Sequence, residues 1–199
     1  MDTQSQNKWN NIYQQSQVGE GEPVWVLKEF SHLLPVNGKA LDIACGLAPN
    51  GVHLARLGLQ VEAWDISDVV VEKINQYAEA NKLKLVGKTV DFSSAGIPES
   101  SFDVIVVSHY LERSLAPVIV KALRPGGLLF YQTFVKDVTP SYSGPSNPDF
   151  RLDANELLKL FSDLKLVAYR EEATIGVLDE GLRNVAAYIG QKDSASTMS

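Results

Sequence analysis

A single cysteine, Cys45, has no partner for an intrachain disulfide, and CxxC pairs are absent. Only three histidines occur, His32, His53 and His109, none at zinc spacing, and HExxH is missing, so no metal site is expected. Basic residues are outnumbered, 18 against 24 acidic, for a formal charge of −6. Without clustered Lys and Arg a phosphate backbone finds little to grip, and nucleic acid is not an expected partner. No apolar run reaches the ~18 residues of a membrane helix. The polar opening, Met1 to Asn7, lacks the basic-then-apolar order of a signal peptide. The expectation is a cytoplasmic protein with no membrane partner. What remains is ordinary: 199 residues, 45% hydrophobic and 21% charged, suit one domain able to bury its own core. Oligomeric state leaves no mark here.

Strand-like and helix-like stretches alternate. Lys39–Cys45, Gln60–Asp65, Thr89–Phe92, Phe102–His109 and Gly127–Phe134 read as strands, the third weakened by Gly87 and Lys88. Their apolar character is continuous, as for strands covered on both faces. Helical stretches lie between them: Val24–Leu34, Gly51–Leu57, Asp68–Asn81 behind Ser67, and Leu115–Leu123. A further one, Ala154–Phe161, follows Asp153, and an amphipathic helix around Trp9 and Tyr13 precedes them all. Leu164–Arg170 and Asn184–Gly190 have no helix between them and suit an antiparallel pair. The order predicts an α/β fold: a doubly wound, Rossmann-like seven-stranded sheet, mostly parallel, with an antiparallel C-terminal strand and helices on both faces. Residues 1–38 form an expected helical cap, 39–192 the main domain, and 193–199 a frayed, disordered tail.

The most informative stretch is Leu41-Asp42-Ile43-Ala44-Cys45-Gly46-Leu47-Ala48-Pro49-Asn50-Gly51. A strand ends in a turn of small residues that opens a helix, so backbone N–H groups can approach a ligand. Nineteen positions after Gly46 stands Asp65, at a strand end where an acid can take both hydroxyls of a ribose. The pair suits an adenosine-type ligand. Gly46, Ala48 and Gly51 nearly match a dinucleotide pattern, which alone is weak. Asp42 argues otherwise: an anion inside the strand repels a pyrophosphate and welcomes an ammonium group. It can equally accept N–H bonds from its own turn, and one carboxylate has lone pairs for both.

In order, ALDIACGLAPNG, VEAWDIS, VDF, SFDVIVVSHYL and LRPGGLLFYQTF resemble the motifs of class I S-adenosylmethionine-dependent methyltransferases, over about Trp9 to Lys192. Trp9 with Tyr13, ALDIACG and GPSNPDFRL resemble the small bacterial branch of tellurite-resistance type. The resemblance implies S-adenosylmethionine as cofactor, with Asp42 and Gly46 to Ala48 at its methionine end. It implies Asp65 on the ribose, Ile66 packed on adenine, Asp91 at the adenine amino group and Phe92 near the ring. Ser108 would lie beneath the methyl donor, with Ala44, Asn50, Trp9 and Tyr13 completing the cofactor set. Ala48 departs from the commoner glycine, which implies a modest shift in turn shape.

On the acceptor side stand His109, Tyr110 and Arg113. The D/N-P-P-Y of adenine N6 methylation is absent, which favours a small-molecule methyl acceptor: a thiol, an oxyanion or a hydroxyl. His109 is the candidate base, Arg113 could attract an anion, and Tyr13 joins them as a candidate catalytic residue. Trp9 and Tyr13 share one helix face, as a lid or as an aromatic staple. Tyr142 and Ser146-Asn147-Pro148 lie in a long loop suited to covering a substrate. Cys45 and Trp25 read as packing, and His32 and His53 as solvated. Two other functions stay open, a non-catalytic S-adenosylmethionine binder and a nicotinamide-dependent oxidoreductase.

Overall fold

The computed structural model describes residues 3–92 and 96–194. Two helices come first, α1 (Thr3–Tyr13) and α2 (Trp25–Glu29). Then follow β1 (Lys39–Ile43), α3 (Pro49–Arg56), β2 (Gln60–Asp65), α4 (Asp68–Ala80), β3 (Leu85–Thr89) and β4 (Phe102–Ser108). The chain ends with α5 (Ala116–Ala122), β5 (Leu123–Phe134), α6 (Glu156–Leu160), β6 (Lys165–Glu171) and β7 (Val185–Gln191). All seven strands form one sheet in the order β3-β2-β1-β4-β5-β7-β6. β1 to β5 pair in parallel, and β7 runs antiparallel between β5 and β6. This is the doubly wound sheet expected, with the single antiparallel strand at the C-terminus.

Strand parity explains the continuous apolar runs. Leu41, Ile43, Ile105 and Val107 enter one core with Ile119, Leu157 and Phe161. Ala40, Val104 and Val106 enter the other, with Val52, Leu54, Val70 and Ile74 of α3 and α4. Both faces are covered, so both parities must be apolar. Asp42 has the parity of Ala40 and therefore points toward α3. The order of the sheet reverses between β1 and β4, and in such sheets ligands bind beyond the carboxyl ends at that point.

Several boundaries differ from expectation, β5 for one starting at Leu123 and not at Gly127. β3 is Leu85–Thr89, so Asp91 and Phe92 follow the strand instead of lying in it. Gly87 sits inside β3 because α4 crosses close above it: a Cβ there would lie 3.0 Å from the Val71 carbonyl. Val24–Leu34 is not one helix, since α2 stops at Glu29 and Ser31–Leu33 is a 3₁₀ turn. The Ser31 hydroxyl donates to the carbonyls of Leu27 and Lys28, which competes with helix continuation. α6 begins at Glu156 behind Asn155, whose φ of 59° breaks the predicted helix start. Of the tail, Asp193 and Ser194 continue past β7 without regular structure, and residues 195–199 lie outside the described residues. Among the described residues no helix is long and apolar enough to cross a membrane.

Candidate active site

The turn after β1 is left-handed at alternate positions: Ala44 at φ 51°, Gly46 at 51° and Ala48 at 53°. Ala48 stands where the commoner pattern has glycine. It adopts the glycine-like conformation, at a cost of ~1–2 kcal/mol. Ala48 is also the N-cap of α3 and has no capping side chain. Asp42 supplies that function from β1, accepting the Gly51 N–H at 3.0 Å. The carboxylate thus bonds to its own turn, the more local of its two readings.

Asp42 is fully buried, and burial pushes its pKa up to about 8. Asn50, also fully buried, joins three segments. Its amide nitrogen donates to Ser108 Oγ at 2.9 Å and, at a long 3.5 Å, to Asp42, while its oxygen accepts the Val24 N–H. Asn50 therefore positions Ser108 and Asp42, and its amide is spent within the chain. Across the turn, Asp65 accepts the Gly46 N–H at 2.9 Å and the Ser67 N–H at 3.0 Å. Burial raises the pKa of Asp65 as well, against the pull of these bonds.

Tyr13 closes the turn from above, its hydroxyl 3.0 Å from where a Cβ on Gly46 would stand. Burial and then Asp65 push its pKa well up. Trp9 stacks on Tyr13 with ring centroids 5.7 Å apart. Two contacts illegible in the sequence hold this helix down. Ser67 Oγ donates to Asn10 at 2.6 Å. Lys73 Nζ donates to the carbonyls of Tyr13, Gln14 and Ser16 at 2.7, 2.7 and 2.8 Å. Unpaired carbonyls at a helix end draw a cation, but nothing in the spacing marks Lys73 as theirs. Beyond Asp65, Ile66 is half-buried and Asp91 buried. Phe92 stacks on Trp64 at 6.4 Å and meets Tyr110 at 5.9 Å. The Tyr110 hydroxyl is pushed up to about 12 by burial, then by Glu112, Asp91 and Asp65.

β4 is followed by another left-handed residue, His109 at φ 53°, whose N–H donates to the Gln132 carbonyl. A non-glycine residue held there is strained, a condition that clusters at functional sites. Its ring lies 5.1 Å from Phe134, which meets Tyr142 edge-on at 5.9 Å. Partial desolvation lowers the His109 pKa. Arg113 differs from expectation: its guanidinium is paired with Glu156 at 2.6 Å and donates to the carbonyls of Asp149 and Arg151. It fastens the loop after β5 rather than facing the crevice as a free cation. His53 is not simply solvated, since its Nε2 is 3.0 Å from Ser31 Oγ. Cys45 is buried, and burial pushes its thiol up, away from reactivity. Trp25 packs against Phe30 and under Arg170. The structure therefore gathers Tyr13, residues 42–50, Asp65, Asp91, Phe92, Ser108 and His109 at one sheet edge.

Fold and site together define the class I S-adenosylmethionine-dependent methyltransferase scaffold. The chain belongs to the tellurite resistance protein TehB family, whose model matches residues 8–184. It is similar in structure to TehB from Haemophilus influenzae, with TM-score 0.70 and 20% identity over 93% of this chain and 67% of that one. A TehB-like SAM-dependent methyltransferase from Corynebacterium glutamicum matches with TM-score 0.61 and 16% identity, over 96% and 97%. Among curated proteins, the uncharacterized protein UNK4.09 of Schizosaccharomyces pombe is 29% identical over 122 residues, 59% of this chain. That match spans 34% of the relative's length.

Proposed function

We propose that the protein is an S-adenosylmethionine-dependent methyltransferase acting on a small molecule by in-line methyl transfer. The observation that carries this reading is the pairing of two buried acids, Asp42 and Asp65, around a left-handed turn roofed by Tyr13. Buried carboxyls of raised pKa suit a cationic ligand, whose charge offsets the desolvation that burial imposes. A diphosphate in the same place would gain no counter-charge from either acid.

The residues present fit such a cofactor. Asp42 and the N–H groups of the turn would hold its amino-acid end, Asp65 its ribose, and Asp91 with Phe92 its base. Bound S-adenosylmethionine supplies a methyl group made electrophilic by a sulfonium. The chain's own task is to align an acceptor with that methyl group and to exclude water. Tyr13 and Trp9, on α1, would cover the bound cofactor. His109, at the end of β4, takes a proton from an acceptor that has one to lose.

Calorimetry decides between ligand classes. S-adenosylmethionine and S-adenosylhomocysteine are expected to bind, and NAD to give no heat of binding. Tight NAD binding without S-adenosylhomocysteine binding would falsify the proposal.

A further inference from the structure

Gln132 stands near the carboxyl end of β5 and is 6% exposed. Register places it beside Ser108 of β4 on one side and Ala187 of β7 on the other. Phe130, two residues earlier, packs with Val104 and Val106, so Gln132 points to the face that α2 and α3 cover. Main chain and side chain both hold the edge of the site. The backbone carbonyl accepts the His109 N–H at 2.9 Å. The side-chain oxygen accepts the Val26 N–H at 3.0 Å. That bond caps α2 from outside, as Asn50 does at Val24, because α2 has no capping side chain of its own.

The Val26 bond also fixes which way the carboxamide is turned. Only its oxygen can accept a backbone N–H, so the amide nitrogen lies on the other side. Asn50, the matching cap across Ser108, spends its nitrogen on Ser108 Oγ. The Gln132 nitrogen has no hydrogen-bond partner among the described residues and still touches solvent. The groove between α2 and β6 is lined by Trp25, Val26, Arg170 and Ala187 among others, but not by Gln132, so the amide does not open on that flank. The flank that remains is that of β4, with Ser108 and His109. We infer that Gln132 sets specificity for the methyl acceptor, its amide N–H donating to an oxygen that the acceptor carries beside its reacting atom; this rests on the methyltransferase reading above. A neutral amide serves a carbonyl, a carboxylate or an oxyanion alike. It moves no proton. It holds the acceptor next to His109, whose main chain it already holds. An acceptor lacking that oxygen leaves the donor unpaired in a nearly closed place.

The test compares methyl transfer from S-adenosylmethionine to the methyl ester of mercaptoacetic acid, to selenite and to propanethiol, with S-adenosylhomocysteine binding measured in parallel. The first two carry the oxygen and propanethiol does not. The better of the two is expected to exceed propanethiol in kcat/KM by roughly tenfold or more. Gln132→Glu, at about pH 9 where its carboxyl is largely ionised, keeps an oxygen for the Val26 N–H and has no donor. Gln132→Met has neither and brings no charge. Both should reduce the discrimination to near unity while the S-adenosylhomocysteine Kd stays within about threefold. Should Gln132→Met fail to fold without its bond to α2, Gln132→Glu still decides. Equal or faster turnover of propanethiol overturns the inference, and so does discrimination that survives in either folded variant. A Kd that weakens in step with the lost discrimination places the amide on the cofactor and overturns it too, as does turnover of none of the three by a protein that binds S-adenosylhomocysteine. Failure to bind S-adenosylhomocysteine overturns the underlying methyltransferase reading, and the inference with it.

Discussion

Asp42 is a carboxyl whose proton is held by burial more than it is released by the Gly51 N–H bond. Its pKa in the folded chain, about 8, is above the ~3.9 of an unfolded aspartate. A raised carboxyl stabilises the fold fully below the unfolded value and loses that contribution as pH rises through the folded one. The ligand-free protein should therefore melt at progressively lower temperature from pH 5 to pH 8. Asp42→Asn keeps an oxygen for the Gly51 N–H and removes the titration, so its melting curve should be flatter over the same range. Asp65, raised in the same direction, leaves a residual slope. Thermal midpoints across that range check this, and equal slopes in both proteins would refute it. Asp42→Asn should also weaken S-adenosylmethionine binding, because the cation loses its counter-charge. Ala48 makes a simpler case. Ala48→Gly relieves a left-handed alanine and should stabilise by ~1 kcal/mol, a midpoint rise of about 2–4 °C by calorimetry. The acids of the site were legible because charge inside an apolar strand is anomalous. The role of Asn50 was legible only as membership of the turn, since its partners Val24 and Ser108 are 26 and 58 residues away.

Helix α1 shows what an element's sequence conceals. It has no buried residue, yet it is tied down at its middle by Ser67 and at its end by Lys73. An ammonium among three carbonyls makes charge-assisted bonds of ~1.5–3 kcal/mol each at most. Lys73→Met should leave the sheet intact and loosen the helix. The expected result is faster proteolytic cleavage within residues 14–21 and a roughly tenfold weaker affinity for S-adenosylmethionine. Unchanged cleavage and affinity would mean that Trp9 and Tyr13 hold the helix unaided. β3 carries the same lesson from the other side. Gly87 read as a strand breaker because propensity counts a missing side chain as a loss, whereas here it is the space that lets α4 approach. Sequence pattern registers which residues are apolar, but not how near a neighbouring backbone will come.

At the scale of the whole molecule, order along the chain and order in space part company twice, once where β4 returns to lie beside β1 and once where β7 enters between β5 and β6. Periodicity and the turn after β1 recovered the other parallel strands but not the third, expected at Thr89–Phe92 and found at Leu85–Thr89, and the lack of a helix between the last two exposed the antiparallel pair. The arrangement of that pair was not readable, because inserting β7 between β5 and β6 depends on pairing across 50 or more residues. The insertion carries a consequence for a nascent chain. The first five strands can assemble as they are made, and with them the edge that holds Asp42, Asp65 and His109. β6 then waits, since its one strand neighbour is synthesised after it. A stop before Val185 would therefore strip two strands from the sheet rather than one, and would leave the flank of β5 open to any stray strand that met it.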